Sequence, residues 1–115
     1  MDIRLLVLRT SDPKKLADFY SLFGLTFDYH KHGKSPFHYS AAMEQTVLEI
    51  YPLAKSQTEA DKNLRIGFGI YDFDETVKKL KALQVPFSLE PTQTAFGFMA
   101  IISDPDLRKI ELYRK

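Results

Sequence analysis

The chain has 115 residues, the size of one typical domain with room for one hydrophobic core. Apolar residues make up 44% of the chain and charged residues 27%, which argues against both a disordered protein and a membrane protein. The net charge of +1, with acidic and basic residues intermixed, offers no basic surface for the phosphates of nucleic acid.

The first apolar run and the cysteine count indicate the compartment. The run from Leu5 to Leu8 is too short for the apolar region of a signal peptide and far below the roughly 20 residues of a membrane span. The chain has no cysteine, which excludes disulfides, thiolate metal sites and a cysteine nucleophile. We therefore expect a cytoplasmic protein.

The first half of the chain is predicted to contain one helix and four strands. Ser11 or Asp12 can cap the helix, Pro13 suits its first turn, and Gly24 stops it. Apolar residues recur at helical spacing along it, at Leu16, Phe19, Tyr20 and Phe23. The strands are predicted at Leu5 to Arg9, Leu25 to Lys31, Phe37 to Met43 and Thr46 to Leu53.

The second half repeats the first at an offset of 60 residues. The segment LLVLRTSDPKKLADFYSLFGLTF aligns without gaps with RIGFGIYDFDETVKKLKALQVPF, so Leu5 corresponds to Arg65. A helix is predicted from about Asp74 to Leu83, with Val77, Leu80 and Leu83 facing inward. The strands are predicted at Leu64 to Ile70, Pro86 to Leu89, Phe96 to Ile102 and Lys109 to Tyr113.

This pattern predicts an α+β protein made of two βαβββ modules. The first module spans residues 1–53 and the second spans residues 64–115, within a single domain of residues 1–115. A polar linker at residues 54–63 joins them.

Two acidic residues interrupt strands that otherwise read as buried. Glu49 lies in VLEIYPL and Glu111 in KIELYRK, at equivalent positions of the repeat. Strand alternation places each acid on the face that also carries Tyr51 or Tyr113, with Leu48, Ile50, Ile110 and Leu112 on the other face. A buried carboxylate without a partner is costly, so each acid is expected to have one.

The two modules, the segment SDPKKLADFYSLFGL and the terminal segment SDPDLRKIELY together resemble the vicinal oxygen chelate superfamily. This superfamily includes glyoxalase I, extradiol dioxygenases, and fosfomycin- and bleomycin-resistance proteins. The resemblance implies a cupped mixed sheet whose concave face holds the site, and it implies a homodimer. Leu107 and Arg108 depart from the glycine and asparagine that usually follow DPD, which predicts a changed loop shape.

The resemblance implies metal ligands at four positions, which are Leu5, Glu49, Arg65 and Glu111 in this chain. Leucine has no lone pair, and arginine is a permanent cation with donors only. We therefore predict no metal there, with Arg65 in the place of the cation and paired with the acids. A divalent metal ion is the alternative, and an ion pair with a purely structural role is another.

His30, His32 and His38 lie on either side of one predicted turn. A metal site formed by them is conceivable. Leu25, Phe27 and Tyr29 occupy the opposite strand face, however, which favours histidines that face solvent or a partner subunit.

The sequence favours a metal-free protein that binds a small organic molecule in the concave face. The alternatives are a metal-dependent lyase, isomerase or dioxygenase with Glu49 or Glu111 as general base, and a scaffold without a ligand. Gly67 and Gly69 would leave a hollow beside Arg65, or they mark a close approach of strands. The candidate ligand-binding residues are Glu49, Arg65, Glu111, Arg9, Tyr51, Gly67, Gly69 and Tyr113.

Overall fold

The computed structural model describes residues 1–115, which form two helices and eight strands. The chain divides into two compact units, Met1–Asp61 and Lys62–Lys115. The boundary between the units lies within the predicted linker. Neither helix has the length and apolar composition that a membrane crossing requires.

Both units have the order strand, helix and three strands. The first unit contains β1 (Leu5–Thr10), α1 (Pro13–Ser21), β2 (Asp28–His30), β3 (His38–Met43) and β4 (Thr46–Pro52). The second contains β5 (Ile66–Ile70), α2 (Phe73–Ala82), β6 (Phe87–Thr94), β7 (Gly97–Ser103) and β8 (Lys109–Arg114). The two four-stranded sheets have the orders β1-β4-β3-β2 and β5-β8-β7-β6, with the first pair of each parallel. The predicted α+β repeat is therefore confirmed.

The start of α1 follows the predicted capping chemistry. The Asp12 side chain accepts a hydrogen bond from the Lys15 backbone N–H at 3.2 Å, and Pro13 is the first helical residue. Leu16 and Tyr20 are fully buried, one turn apart on the face that meets the sheet.

The inward face of α2 differs from the prediction. Phe73, Thr76 and Leu80 are its buried residues, whereas Leu83 is 63% exposed and lies beyond the end of the helix. The prediction was wrong for Leu83 because the helix ends at Ala82, so Leu83 does not continue the buried face. Phe73, Thr76 and Leu80 recur at helical spacing and form the face that meets the sheet.

Each sheet has an apolar face towards its helix and an opposite face, here called the polar face, that carries one of the two acids beside apolar residues. Leu48 and Ile50 in β4, and their counterparts Ile110 and Leu112 in β8, are fully buried on the helix side. The alternation of side chains places the two acids on the opposite face, as predicted. The core of each unit therefore forms on the helix side and leaves the other face for polar chemistry.

Strand β6 is longer than its sequence indicated. It continues to Thr94 through Pro91, with shifts of register between Leu89 and Thr92. Proline has no N–H for a ladder, but it is tolerated at a bulge in an edge strand, and β6 is at the edge of its sheet.

The loop before β8 contains a residue with positive φ that is not glycine. Leu107 itself has φ of 70°, a conformation that is energetically unfavourable for a residue with a β-carbon. Next to it the buried Arg108 donates from Nη1 to Asp104 Oδ2 at 3.1 Å and to Asp106 Oδ2 at 3.0 Å. Burial disfavours the charged guanidinium, but the two carboxylates outweigh burial and raise the pKa of Arg108 above its ordinary value.

Candidate functional site

Arg65, Glu111 and Tyr113 form a hydrogen-bonded group on the polar face of the second unit. Arg65 lies immediately before β5, and its Nε donates to Glu111 Oε2 at 2.7 Å. The Tyr113 hydroxyl donates to the other oxygen, Glu111 Oε1. The predicted pair of Arg65 and Glu111 is therefore present, although the Arg65 side chain is half-exposed.

These contacts change the acidity of both partners. The hydrogen bond from Tyr113 has the largest effect and lowers the pKa of Glu111; partial burial raises this pKa, and Arg65 lowers it again. The same hydrogen bond raises the pKa of Tyr113, because the phenol must lose the proton that it donates. At neutral pH the group therefore contains a carboxylate, a guanidinium and a neutral phenol.

The two strand glycines lie beneath other side chains. A β-carbon at Gly67 would come within 3.3 Å of Tyr113 Cε2, and one at Gly69 would come within 3.3 Å of Cγ and Cδ of Lys115. The close approach at Gly67 is made by an aromatic ring that belongs to the polar group. The space that Gly67 leaves is thus used by Tyr113.

A recess of about 460 Å³ opens beside this polar group. Its walls are mainly apolar, and Phe96, at its edge, is 82% exposed. The lining residues are Arg65, Leu89, Thr94, Phe96, Met99, Ile101, Glu111 and Tyr113. The volume lies within the roughly 300–1,000 Å³ that small-molecule sites occupy.

Glu49, the equivalent acid in the first unit, has histidine neighbours. Its Oε2 lies 3.3 Å from His38 Nε2 and 3.8 Å from His32 Nε2. His30, His32, His38 and Glu49 each offer a ligand atom, and these atoms all lie within 4.8 Å of one another. The structure therefore contains a histidine and carboxylate group that could hold a metal ion.

The expected outward orientation of the histidines is wrong for His38, which is fully buried. Its ring stacks on Tyr51, with centroids 4.1 Å apart and an interplanar angle of 10°. In the sheet, Ser40 pairs with Glu49, so His38 lies on the same face as Tyr51 and Glu49. His30 pairs with His38 on the next strand and shares this face.

Arg9 contacts Tyr51 and the end of β4. Its Nη1 donates to the Pro52 carbonyl at 3.0 Å, and its guanidinium lies 5.0 Å from the centroid of the Tyr51 ring. Tyr51 is thus held between Arg9 and His38.

The four positions at which the resemblance places metal ligands do not fit a divalent ion. Leu5 is an exposed apolar side chain without a lone pair. Arg65 carries a permanent positive charge and donates to Glu111, one of the two acids that would have to bind the metal.

Sequence reasoning considered a metal site at the three histidines but favoured an outward orientation and did not place Glu49 beside them, although a signal was present. The tight turn at Glu44 pairs Met43 with Thr46, and counting back from that pair places His38 opposite Tyr51. The recess itself was not predicted for another reason. Its lining includes Leu89, where the register of β6 becomes irregular.

Comparison with known proteins places the chain in a family. Residues 3–112 match the family described as the Glyoxalase/Bleomycin resistance protein/Dioxygenase superfamily. A comparison with curated proteins found no match.

Several solved structures share the fold. TnmS3, an antibiotic binding protein from Streptomyces sp. CB03234, is 24% identical with a TM-score of 0.78, covering 99% of this chain and 95% of that one. The oxidase ChaP-H2 is 15% identical with a TM-score of 0.79, covering 100% and 94%. The trypanothione-dependent glyoxalase I of Leishmania major is 24% identical with a TM-score of 0.71, covering 99% and 86%. The match over residues 3–112 shows that the chain belongs to the glyoxalase/bleomycin resistance protein/dioxygenase superfamily.

Proposed function

We propose that the chain binds a small, partly aromatic organic molecule in the recess of the second unit, without a metal ion at that place. The observation that carries the proposal is the combination of apolar walls with one hydrogen-bonded polar group, Arg65, Glu111 and Tyr113. Binding sites for small molecules have this composition, since apolar walls provide affinity and a few polar groups fix orientation.

The free hydrogen-bonding capacity of the polar group selects the chemistry of the ligand. Both oxygens of Glu111 already accept hydrogen bonds, from Arg65 and from Tyr113. Arg65 uses only Nε for Glu111, so its Nη groups can donate to a ligand. The preferred ligand is therefore an acceptor, such as a carbonyl, a phenolate or a carboxylate, rather than the cation that a free carboxylate would prefer.

The exposed ring of Phe96 supplies the second part of recognition. An aromatic ring that is 82% exposed beside an apolar recess can stack on a flat ligand and be covered by it. The similarity to the antibiotic binding protein TnmS3 supports binding of this kind.

A direct test uses the fluorescent probe 1-anilinonaphthalene-8-sulfonate, which is aromatic and carries one anionic acceptor group. We expect saturable binding that Arg65→Leu weakens by about 10–100-fold, the cost of losing a charged hydrogen bond. Phe96→Ala should weaken it as well. The matched controls are Arg4→Ala and Tyr71→Ala, which remove an exposed cation and an exposed ring outside the recess.

Two results would contradict the proposal. One is the absence of saturable binding of the probe and of a panel of aromatic acids and ketones, which would favour a scaffold role. The other is binding that Arg65→Leu and Phe96→Ala leave unchanged. Turnover of a panel compound, lost in Glu111→Gln, would instead favour an enzyme that uses this carboxylate as a base.

We also propose a homodimer. The strands β1, β2, β5 and β6 form the edges of their sheets, and exposed edges are commonly covered by a partner. Sedimentation equilibrium measures the assembly directly, and a monomer at all concentrations would refute this proposal.

A further inference from the structure

The histidine group of the first unit has the donors of a metal site already close together. Three imidazoles and one carboxylate, from His30, His32, His38 and Glu49, place their ligand atoms within 4.8 Å of one another. A tetrahedral zinc ion with bonds of about 2.0–2.1 Å spaces its ligand atoms roughly 3.3 Å apart. The separation of His38 Nε2 from Glu49 Oε2 is already 3.3 Å.

The tautomer that the surroundings of His38 favour suits a metal ligand. Its Nδ1 lies 3.0 Å from the Pro36 carbonyl oxygen, which can only accept, so Nδ1 carries the hydrogen. In a neutral ring the lone pair is then on Nε2, the atom that faces Glu49. A backbone carbonyl that fixes the tautomer in this way is the usual partner of a metal-bound histidine.

Two buried nitrogens of this group have no hydrogen-bond partner. They are Nε2 of His38, a side chain that is fully buried, and Nε2 of His30. A buried polar atom without a partner is costly, and most such atoms in proteins are satisfied by a protein group, a water or an ion. A ligand between the rings would satisfy both nitrogens at once.

We propose that His30, His32, His38 and Glu49 form a binding site for a divalent transition metal ion, with zinc as the best fit. Imidazole nitrogens with a carboxylate oxygen suit zinc and exclude the hard cations Mg²⁺ and Ca²⁺, which take oxygen ligands. The site differs from the superfamily's implied position, with which it shares only Glu49. It does not depend on the proposed function, which concerns the second unit.

Four protein ligands would fill the tetrahedral positions and leave none open, so the expected role is structural. The ion would join the turn between β2 and β3, which carries the exposed His32, to the buried Glu49 of β4. His32 can supply the movement that closes the group, because its side chain is 66% exposed and the other three are more confined.

The alternative is an ion pair without a metal. If His38 is protonated, its Nε2 and the Glu49 carboxylate attract each other directly. In that state the nitrogen has no lone pair until it loses the proton, so the proton and a metal ion compete for it.

Calorimetry with zinc chloride on the untagged full chain, after removal of metals by chelator, tests the proposal. We expect one ion per chain, a higher unfolding temperature with zinc, and shifts of all three Nε2 signals in long-range ¹H–¹⁵N spectra. The loss of an outer-shell partner weakens metal binding by about 10–100-fold. His30→Ala and His32→Ala should each weaken zinc binding by more than this. Because the His32 side chain is exposed, the His32→Ala variant should fold even if a variant at the buried His38 does not.

Two control variants locate the site. Lys34→Ala changes an exposed residue of the same turn and should leave zinc binding unchanged. Glu111→Gln should also leave it unchanged, whereas a metal at the superfamily's position would depend on Glu111 and not on His32. The proposal is overturned if zinc does not bind, if His30→Ala and His32→Ala bind it normally, or if Glu111→Gln abolishes binding.

Discussion

The ring of Tyr113 lies against Gly67, where a β-carbon would come within 3.3 Å of its Cε2 atom. The two residues are on neighbouring parallel strands, and Gly67 pairs with Glu111, the acceptor of the Tyr113 hydroxyl. The missing side chain at position 67 therefore allows the phenol to reach the carboxylate.

Gly67→Ala should displace the Tyr113 ring and weaken its hydrogen bond to Glu111. The pKa of Tyr113, which this bond raises, should then fall towards its ordinary value. The chemical shift of the Tyr113 ring carbon Cζ, followed by NMR as the pH is changed, measures this pKa. Gly69→Ala is the matched control, because its β-carbon would meet the flexible Lys115 side chain; equal effects of both variants would contradict the explanation.

Glu111 should remain ionised at pH values where an ordinary glutamate is protonated. Its pKa is lowered in the folded chain, so its contribution to stability is present above the ordinary value and is lost as pH falls through the lowered one. Carbon NMR of the carboxyl group measures the midpoint. Tyr113→Phe and Arg65→Leu should each raise this midpoint, since both partners lower the pKa of Glu111. A midpoint at the ordinary value would refute the hydrogen-bond assignment.

Leu107→Gly should stabilise the protein by about 1 kcal/mol, because glycine adopts positive φ without the penalty that a β-carbon brings. Little burial is lost, since the Leu107 side chain is 66% exposed. Urea denaturation measures the change. Leu107→Ala retains the β-carbon and should give no gain, so a gain in both variants would indicate a cause other than the backbone.

Arg108→Met should destabilise the protein by about 3–5 kcal/mol, because it leaves the buried Asp104 carboxylate without its cation. The backbone N–H groups of Asp106 and Arg108 still donate to Asp104, which favours the lower end of this range. Asp106→Asn, which keeps an acceptor for Arg108, should cost about 1 kcal/mol. Denaturant midpoints that rank the two variants in the opposite order would show that Asp104 is not the essential partner.

The fold could be predicted from the sequence because local signals and the repeat agree. Asp12 and Pro13 specify the start of the first helix by capping chemistry, and the 60-residue offset carries that assignment to a second half whose own signals are weaker. The pairing of Arg65 with Glu111 was predicted from the ligand positions that the resemblance implies, with support from strand alternation. These features depend on neighbours in one chain segment or on one parallel strand pair.

The features of the site that sequence reasoning did not predict depend on register across two hairpins. Whether His38 faces Glu49 is decided by how β3 pairs with β4, and a shift of one residue would reverse its face. The walls of the recess similarly depend on the bulge near Leu89, for which composition gives only the indirect sign of Pro91.

The division of each sheet into an apolar and a polar face has a consequence for protein engineering. Because Leu48, Ile50, Ile110 and Leu112 supply the packing from the helix side, the exposed residues around Glu49 and Glu111 can be exchanged with little effect on the hydrophobic core, in contrast to the buried His38 and Met99. The two repeats can thereby be redesigned towards different recognition chemistries within a single polypeptide.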